Sequence, residues 1–251
     1  MGLGTGDRGP MTGREQTSDE ARVAKLLATV EPAGEPRMAF LRRAPNGIRA
    51  RPGTLLCLSA SFNPITVAHV RLIDESSRLV PLDEVLLLLA RANVDKSVEG
   101  FPLARRLAIL TRFAESRPAY SVAAVSHGRF FDKAQAILAQ YPPGIRLVFI
   151  VGLDTLVRLF DPKYYDDRDA ALATLFATSE VIAANRAPEP PEAMAAFLGR
   201  PEVVPFAHAI HGIRLPADVA AISATEVRRR LAEGRSVDGL VPAEIRPLLH
   251  P

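Results

Sequence analysis

The feature of this chain that most constrains its fold is a series of short apolar runs, each followed by a segment with helical spacing. Residues 84–91 (EVLLLLAR) and 146–152 (RLVFIVG) are almost continuously apolar, which is typical of strands covered on both faces. Parallel strands of one sheet need crossover connections, and the intervening helical segments supply them. The alternation predicts an α/β fold: a doubly wound, mainly parallel sheet with helices on both faces.

The remaining strands are predicted at residues 54–59, 120–125, 180–185, 202–206 and 209–213. Helices are predicted at residues 18–30, 67–80, 103–116, 130–140, 155–160, 168–177, 192–198, 224–232 and 243–249. Residues 1–16 are expected to be a disordered tail, and residues 17–53 an N-terminal helical extension punctuated by Pro and Gly. The sheet is therefore expected within one domain at residues 54–251.

The composition excludes several classes of function. With 251 residues, 48% of them hydrophobic, the chain can bury a full core. A formal charge of +3, four Tyr and no Trp argue against a nucleic-acid partner. The longest apolar run, residues 85–90, is too short to cross a bilayer, and no signal-peptide core is visible. We therefore expect no membrane partner and a cytoplasmic location. The single cysteine, Cys57, can form no internal disulfide.

Polar residues follow several of the predicted strands, at residues 59–69, 91–96 and 152–154 and at Arg186. In doubly wound sheets, ligands bind beyond the carboxyl ends of the strands. Two helix starts are also suited to phosphate, within LLCLSASFNPITVAHVR (55–71) and ISATEVRRRL (222–231). The first-turn N–H groups of a helix lack intrahelical partners, and the helix dipole favours an anion there. The pattern indicates a nucleotide-handling enzyme.

Four segments carry a resemblance to a known family. Residues 60–69 (ASFNPITVAH) resemble the GSFNPxTxxH signature of nicotinamide and nicotinate mononucleotide adenylyltransferases, with Thr66 at the Thr position. VGLDTLVRLF (151–160), ISATEVR (222–228) and LVPAEIRPLL (240–249) resemble further family segments in the same order. VLLLLA (85–90) and NVDK (93–96) resemble a divergent, fungal-like subgroup. The resemblance implies a Rossmann-like sheet of the nucleotidyltransferase type.

The resemblance also implies a role for each matched residue. His69 would donate a hydrogen bond to the reacting α- or β-phosphate, Lys96 would lie near the transferred phosphates, and Arg228 would grip the ATP tail. The implied nucleotide-binding residues are Ser59, Ser61, Phe62, Asn63, Thr66, Gly152, Asp154, Arg186, Ile222, Ser223 and Thr225. The implied acceptor-binding residues are Arg106, with Arg105 competing for its role, and Tyr165, with Tyr164 beside it.

Several of these residues have a structural alternative. His69 could be a surface or core histidine, and Asp154 could cap a helix that starts at Thr155. The segment from Ser223 could be a capped basic surface helix. The residues expected to be structural or solvated are His127, His208, His211, His250, Arg229 and Arg230.

The chain departs from the family pattern at two points. Ala60 stands where the family usually has Gly, and its methyl group would crowd a position that required a positive φ or a close approach of nucleotide. The family usually stacks the pyridine ring of its acceptor on Trp, and this chain has none. Tyr164 and Tyr165 are the aromatic residues expected to replace it.

The implied reaction transfers AMP from ATP to nicotinamide or nicotinate mononucleotide and releases pyrophosphate, with Mg²⁺ accompanying ATP. No His, Cys or carboxylate ligand cluster is visible in the sequence, so no structural zinc is expected. The Mg²⁺ ion is expected to be held by phosphates and water, with little protein ligation. Two alternatives stay open: a transferase of the same fold that acts on another phosphorylated acceptor, and a non-catalytic nucleotide-binding sensor. The sequence also leaves homo-oligomer formation open.

Overall fold

The computed structural model describes residues 23–92, 100–185 and 192–249. Two expected site residues, Lys96 and Arg186, lie outside the described residues. The same holds for His250 and for the expected tail at residues 1–16.

Seven strands form one sheet in the order β1-β4-β3-β2-β5-β6-β7. The strands are β1 Met38–Arg42, β2 Thr54–Ser59, β3 Glu84–Ala90, β4 Tyr120–Val125, β5 Arg146–Gly152, β6 Ser179–Asn185 and β7 Ile210–Arg214. All neighbouring pairs are parallel except β1 and β4, which are antiparallel. The chain runs outward from β2 in one direction through β3 and β4, and in the other from β5 through β6 and β7. The doubly wound fold is therefore confirmed, with its topological switch point between β2 and β5.

Helices connect the strands on both faces of the sheet. They are α1 Val67–Leu79, α2 Leu103–Glu115, α3 Phe130–Leu138, α4 Leu153–Leu159, α5 Arg168–Thr178, α6 Ala193–Leu198, α7 Ala217–Ala220 and α8 Ala224–Ala232. Short 3₁₀ helices occupy Pro162–Tyr164, Val204–Ala209 and Ala243–Leu248. Residues 23–27 are also helical, within the segment expected to form a helix at residues 18–30.

The two faces of the sheet build two separate hydrophobic cores, because alternate residues of each strand point in opposite directions. Leu56 and Leu58 of β2 belong to the core covered by α1, α2 and α8. Leu55 and Cys57 belong to the core covered by α3, α4, α5 and α6. All four side chains are 2% exposed or less. The continuous apolar runs of the sequence therefore reflect strands buried on both faces.

The sequence-based assignment of the strands fails in two places. Strand β1 lies inside the stretch expected to be a helical extension, and it adds an antiparallel edge to the sheet through β4. Residues 202–206 were expected to form a strand, but the chain forms a 3₁₀ helix over Val204–Ala209. Pro205 is the physical reason, because proline lacks the N–H that a strand ladder needs.

A buried carboxylate fastens the segment before β2 to the sheet. Glu84, the first residue of β3, is 1% exposed. Its carboxylate accepts hydrogen bonds from the Ile48 N–H at 2.7 Å, the Ser121 hydroxyl at 2.5 Å and the Tyr141 hydroxyl at 2.6 Å. Burial and the neighbouring Glu84 carboxylate raise the pKa of Tyr141, so this hydroxyl stays a donor. Three neutral donors thereby stabilise the buried charge.

We expect Glu84→Ala to lower the free energy of unfolding by on the order of 4 kcal/mol, because three buried donors lose their acceptor. The measurement is the urea midpoint at an unchanged m-value. Tyr141→Phe is the matched control, since it removes one of the three hydrogen bonds and should cost about 1 kcal/mol. Equal, small losses in both variants would contradict this account of the network.

Candidate functional site

A cavity of about 930 Å³ opens at the carboxyl ends of β2 and β5. Its walls come from both sides of the switch point. One wall includes the loop after β2, His69 on α1 and the start of α8; the other includes the starts of α3 and α4. The crevice that the topology predicts is therefore present.

The loop after β2 is held in one shape by buried residues. Phe62 is fully buried and has a φ of 43°, and the Asn63–Pro64 peptide bond is cis. Asn63 is 2% exposed, and its Oδ1 accepts the Phe101 N–H at 2.9 Å. Among the described residues other than glycine, Phe62 is the one with a positive φ. Ala60 therefore has a negative φ, a backbone conformation that alanine adopts without strain.

His69 lines the cavity and is oriented by the start of its own helix. Thr66 is the N-cap of α1, and its backbone N–H donates to Nδ1 of His69 at 3.0 Å. The Thr66 hydroxyl oxygen lies 2.8 Å from the same nitrogen. Since Nδ1 accepts a hydrogen bond, the neutral imidazole carries its proton on Nε2. His69 is half-buried and lines the cavity, so it is not enclosed in the hydrophobic core.

Arg228 joins the two distant helix starts. Its Nη1 donates to the Asn63 carbonyl at 2.9 Å, and its Nη2 lies 3.3 Å from the Thr225 hydroxyl. Asn63 and Arg228 are 165 positions apart in the chain. Gly100 packs against both, since a Cβ added there would lie 2.5 Å from Arg228 Cδ and 2.9 Å from Asn63 Oδ1. The neighbouring Arg229 and Arg230 form ion pairs with Glu226 on the helix surface.

Arg106 lies beneath the loop rather than on the cavity wall. The residue is 5% exposed, and its Nη1 donates to the Ser61 carbonyl at 2.8 Å. Burial lowers the pKa of the guanidinium, and its Nε has no hydrogen-bond partner among the residues that the structure describes. Arg106 is not part of the cavity lining, and its role in acceptor binding stays a prediction. Its visible contact is with the loop that carries Ser61 and Asn63.

The wall after β5 combines a helix start with two tyrosines. Gly152 is the N-cap of α4, which begins at Leu153, so the alternative in which Asp154 caps the helix is wrong. Asp154 lies in the first turn and pairs with Arg158 at 3.3 Å. Tyr165 lines the cavity, and its hydroxyl donates to the Leu159 carbonyl at 2.7 Å.

Nine of the expected site residues line the cavity: Ser59, Ser61, Asn63, His69, Gly152, Asp154, Tyr165, Thr225 and Arg228. Five others are not part of the lining: Phe62, Thr66, Arg106, Ile222 and Ser223. Ser223 caps α8, where its hydroxyl accepts the Glu226 N–H at 3.1 Å. Nine residues predicted from the sequence therefore meet in one cavity at the carboxyl edge of the sheet, and five predicted with them do not line it.

Lys133 is a wall residue that the sequence reasoning missed. It lies on α3 and is 6% exposed, yet it lines the cavity. A signal was available, because Phe130, Ala134 and Ile137 form the buried face of α3 and Lys133 falls within that face. A lysine on the apolar side of a helix is uncommon unless it has a partner.

The cavity is electropositive. Its described lining contains four basic side chains, Arg129, Lys133, Arg158 and Arg228, and a single carboxylate, Asp154. Arg129 and Arg158 pair with acids of their own helices. Lys133 and Arg228 have no such ion pair among the described residues. This imbalance suits a ligand with several negative charges.

The described residues contain no group of three His, Cys or acidic side chains arranged to hold a metal ion. In the same residues, no helix is long and apolar enough to cross a membrane.

The chain is thus a doubly wound α/β protein with a basic crevice at its switch point, the place where such sheets bind ligands. Residues 58–230 match the model of the family described as cytidylyltransferase-like, and the chain belongs to this family.

Several proteins resemble the chain over between half and four fifths of its length. A Bordetella pertussis protein, named a probable nicotinate-nucleotide adenylyltransferase, is 27% identical over 75% of this chain and 90% of its own. A Schizosaccharomyces pombe protein, named as a candidate nicotinamide mononucleotide adenylyltransferase, is 32% identical over 51% of this chain and 52% of its own. The solved Plasmodium falciparum nicotinic acid mononucleotide adenylyltransferase complexed with NaAD has a TM-score of 0.55 at 16% identity, covering 78% of this chain and 93% of that one. This structural likeness supports the fold.

We expect Gly100→Ala to weaken ATP binding about tenfold or more, because the new methyl group would displace Arg228 and Asn63. Isothermal titration of ATP into the protein measures the effect. Gly34→Ala is the matched control: Gly34 also has a positive φ, 74° against 105° at Gly100, but a Cβ there would meet no atom within 4 Å. Equal ATP affinities in the two variants would show that the Gly100 packing does not position the site.

Proposed function

We propose that this protein transfers AMP from ATP to nicotinate or nicotinamide mononucleotide, producing the dinucleotide and pyrophosphate. The observation that carries the proposal is the hydrogen bond from Arg228 to the Asn63 carbonyl. It brings the α8 helix start beside the loop that leads to His69, so that one triphosphate can meet both. The relatives named as nicotinate-nucleotide and nicotinamide mononucleotide adenylyltransferases support the choice of reaction.

The reaction needs positioning and charge neutralisation more than covalent chemistry from the protein. A phosphate oxygen of the mononucleotide attacks the α-phosphorus of ATP, a new P–O bond forms, and the bond to the departing pyrophosphate breaks. The Nε2–H of His69 would donate to an oxygen at the α- or β-phosphate, where negative charge accumulates. Arg228 would neutralise the departing phosphates, since its planar fork suits phosphate oxygens.

Support for the nucleotide roles differs among the proposed residues. Ser59, Ser61, Asn63 and Thr225 line the same cavity as Arg228. Gly152 and Asp154 lie across the switch point, where a ribose could bind the carboxylate. Phe62, Thr66, Ile222, Ser223 and Arg106 would act by fixing the loop and helix starts. Lys96 and Arg186 stay predictions from the sequence resemblance.

Mg²⁺ is proposed as the partner ion of ATP. The described cavity lining contains one carboxylate, which is paired with Arg158, so these residues form no all-protein cage for the ion. Phosphate oxygens and water would supply its ligands, as is usual for this cation, and the bound ion would neutralise part of the triphosphate charge.

We expect His69→Ala to lower kcat by about a thousandfold or more while the protein stays folded, because one preorganised donor to the transition state is lost. Pyrophosphate release with ATP plus either mononucleotide measures the rate, and circular dichroism reports the fold. His208→Ala is the control, since His208 is exposed and lies outside the cavity wall. Tight ATP binding without turnover of either acceptor by the unmodified protein would instead favour the nucleotide sensor.

A second experiment addresses the arginine. We expect Arg228→Lys to lower kcat/KM for ATP by about a hundredfold, because an ammonium cannot hold the Asn63 carbonyl and a phosphate together as the fork does. Arg229→Lys, one position along the same helix, should change it little, since Arg229 pairs with Glu226 and Glu233. Similar losses in the two variants would contradict a specific role for Arg228.

A further inference from the structure

Lys133 is a buried cation at the wall of the cavity. Its side chain leaves α3 toward the crevice, the residue is 6% exposed, and Nζ lies 4.3 Å from the centroid of the Phe130 ring. Removing an ammonium group from water is unfavourable unless a partner compensates it. The ring face of Phe130 supplies part of that compensation.

No carboxylate of the described residues forms an ion pair with Lys133. The adjacent Asp132 carboxylate accepts from Arg129 Nε at 3.0 Å. Asp154, the carboxylate of the cavity lining, pairs with Arg158. Both acids near this end of the cavity are therefore committed to arginines, and the charge of Lys133 is available to a bound anion.

Burial lowers the pKa of Lys133 to about 8. The amine is still mostly protonated at pH 7. The unliganded protein thus holds a desolvated positive charge at Lys133. An anion bound beside it would stabilise the protonated form of the amine.

We propose that Lys133 binds the ring carboxylate of nicotinate mononucleotide and makes the enzyme prefer this acid over the corresponding amide as acceptor. The inference rests on the proposed function. It adds a specificity-determining residue, because an amide cannot neutralise the buried ammonium.

The position of Lys133 in the fold favours a carboxylate on an aromatic ring over a phosphate. Lys133 belongs to the face of the sheet that carries Cys57, and it shares the cavity wall with Phe130 and Tyr165. Arg228 and His69 come from helices on the opposite face. The cavity therefore has one end lined by Arg228 and His69 and another where aromatic rings lie beside Lys133. The two arginines at that second end, Arg129 and Arg158, already pair with carboxylates.

The test compares kcat/KM for nicotinate and nicotinamide mononucleotide at saturating ATP in the unmodified protein, Lys133→Met, Lys133→Gln and Lys133→Arg. We expect the unmodified protein to prefer the acid. In Lys133→Met and Lys133→Gln, kcat/KM for the acid should fall about 30-fold or more, while the amide changes by less than about threefold. Lys133→Arg should retain part of the preference. Lys25→Met, at an exposed lysine outside the cavity wall, controls for the loss of one positive charge.

The outcomes separate this inference from the proposed function. Turnover of both acceptors with an unchanged ratio in Lys133→Met overturns the role of Lys133 and leaves the proposed function intact. An equal loss for both acceptors assigns Lys133 to a phosphate and also overturns it. If the unmodified protein turns over neither acceptor, both proposals fail. The melting temperature of the unliganded Lys133→Met protein should not fall, because the substitution removes a buried charge and keeps an apolar chain of similar length.

The pH dependence provides a readout that a packing role would not change. The acid-to-amide ratio of kcat/KM should fall as the pH rises through about 8 in the unmodified protein and stay flat in Lys133→Met, because deprotonation removes the charge. The groups that face Lys133 do not mimic this: burial raises the pKa of the Cys57 thiol, Asp132 is held by Arg129, and the pKa of Tyr165 is raised to about 12. A flat ratio in the unmodified protein overturns the inference.

Discussion

The parallel pairing of β2 with β3 on one side and β5 on the other is the constraint on which the rest of the structure depends. Strand β2 is buried on both faces, and it ends where the chain changes winding direction. Its backbone groups are satisfied within the sheet, so the first polar residues after it must lie at the rim. The loop after β2 and the start of α4 therefore line one crevice, because the strands that precede them are neighbours in the sheet.

Within that crevice, some residues line the cavity and others hold the loop after β2 in place. The wall carries four basic side chains against one acid, which suits a charged ligand but makes the empty site electrostatically unfavourable. Two arginines are nevertheless held close to the loop after β2 because its carbonyls accept hydrogen bonds from them. The Ser61 carbonyl accepts from Arg106, and the Asn63 carbonyl accepts from Arg228. The same cations that face the ligand or lie behind it thus also fix the backbone that approaches the phosphates.

The sequence predicted much of this because the buried parallel strands are short, continuous and apolar. Strands β2, β4 and β5 begin and end at the predicted residues. Of the 60–69 segment, Ala60, Ser61, Asn63 and His69 line the cavity. Strand β1 escaped detection because five residues between Pro- and Gly-rich stretches carry too little pattern, and antiparallel pairing with β4 decides its structure. The burial of Arg106 could not be predicted either, since an arginine in an amphipathic helix is ordinarily expected on the exposed face.

Lys133 illustrates why the chemistry of a site is harder to predict than its location. Its place on the apolar face of α3 follows from helical spacing. Whether its charge is neutralised within the protein depends on Asp132 and Asp154, which already pair with arginines. That fact belongs to the tertiary structure. A buried ammonium that lacks a carboxylate lowers the stability of the empty protein, and a ligand that supplies the negative charge recovers it. The free energy that the empty site loses at Lys133 is thus available to discriminate between an acid and an amide of the same shape.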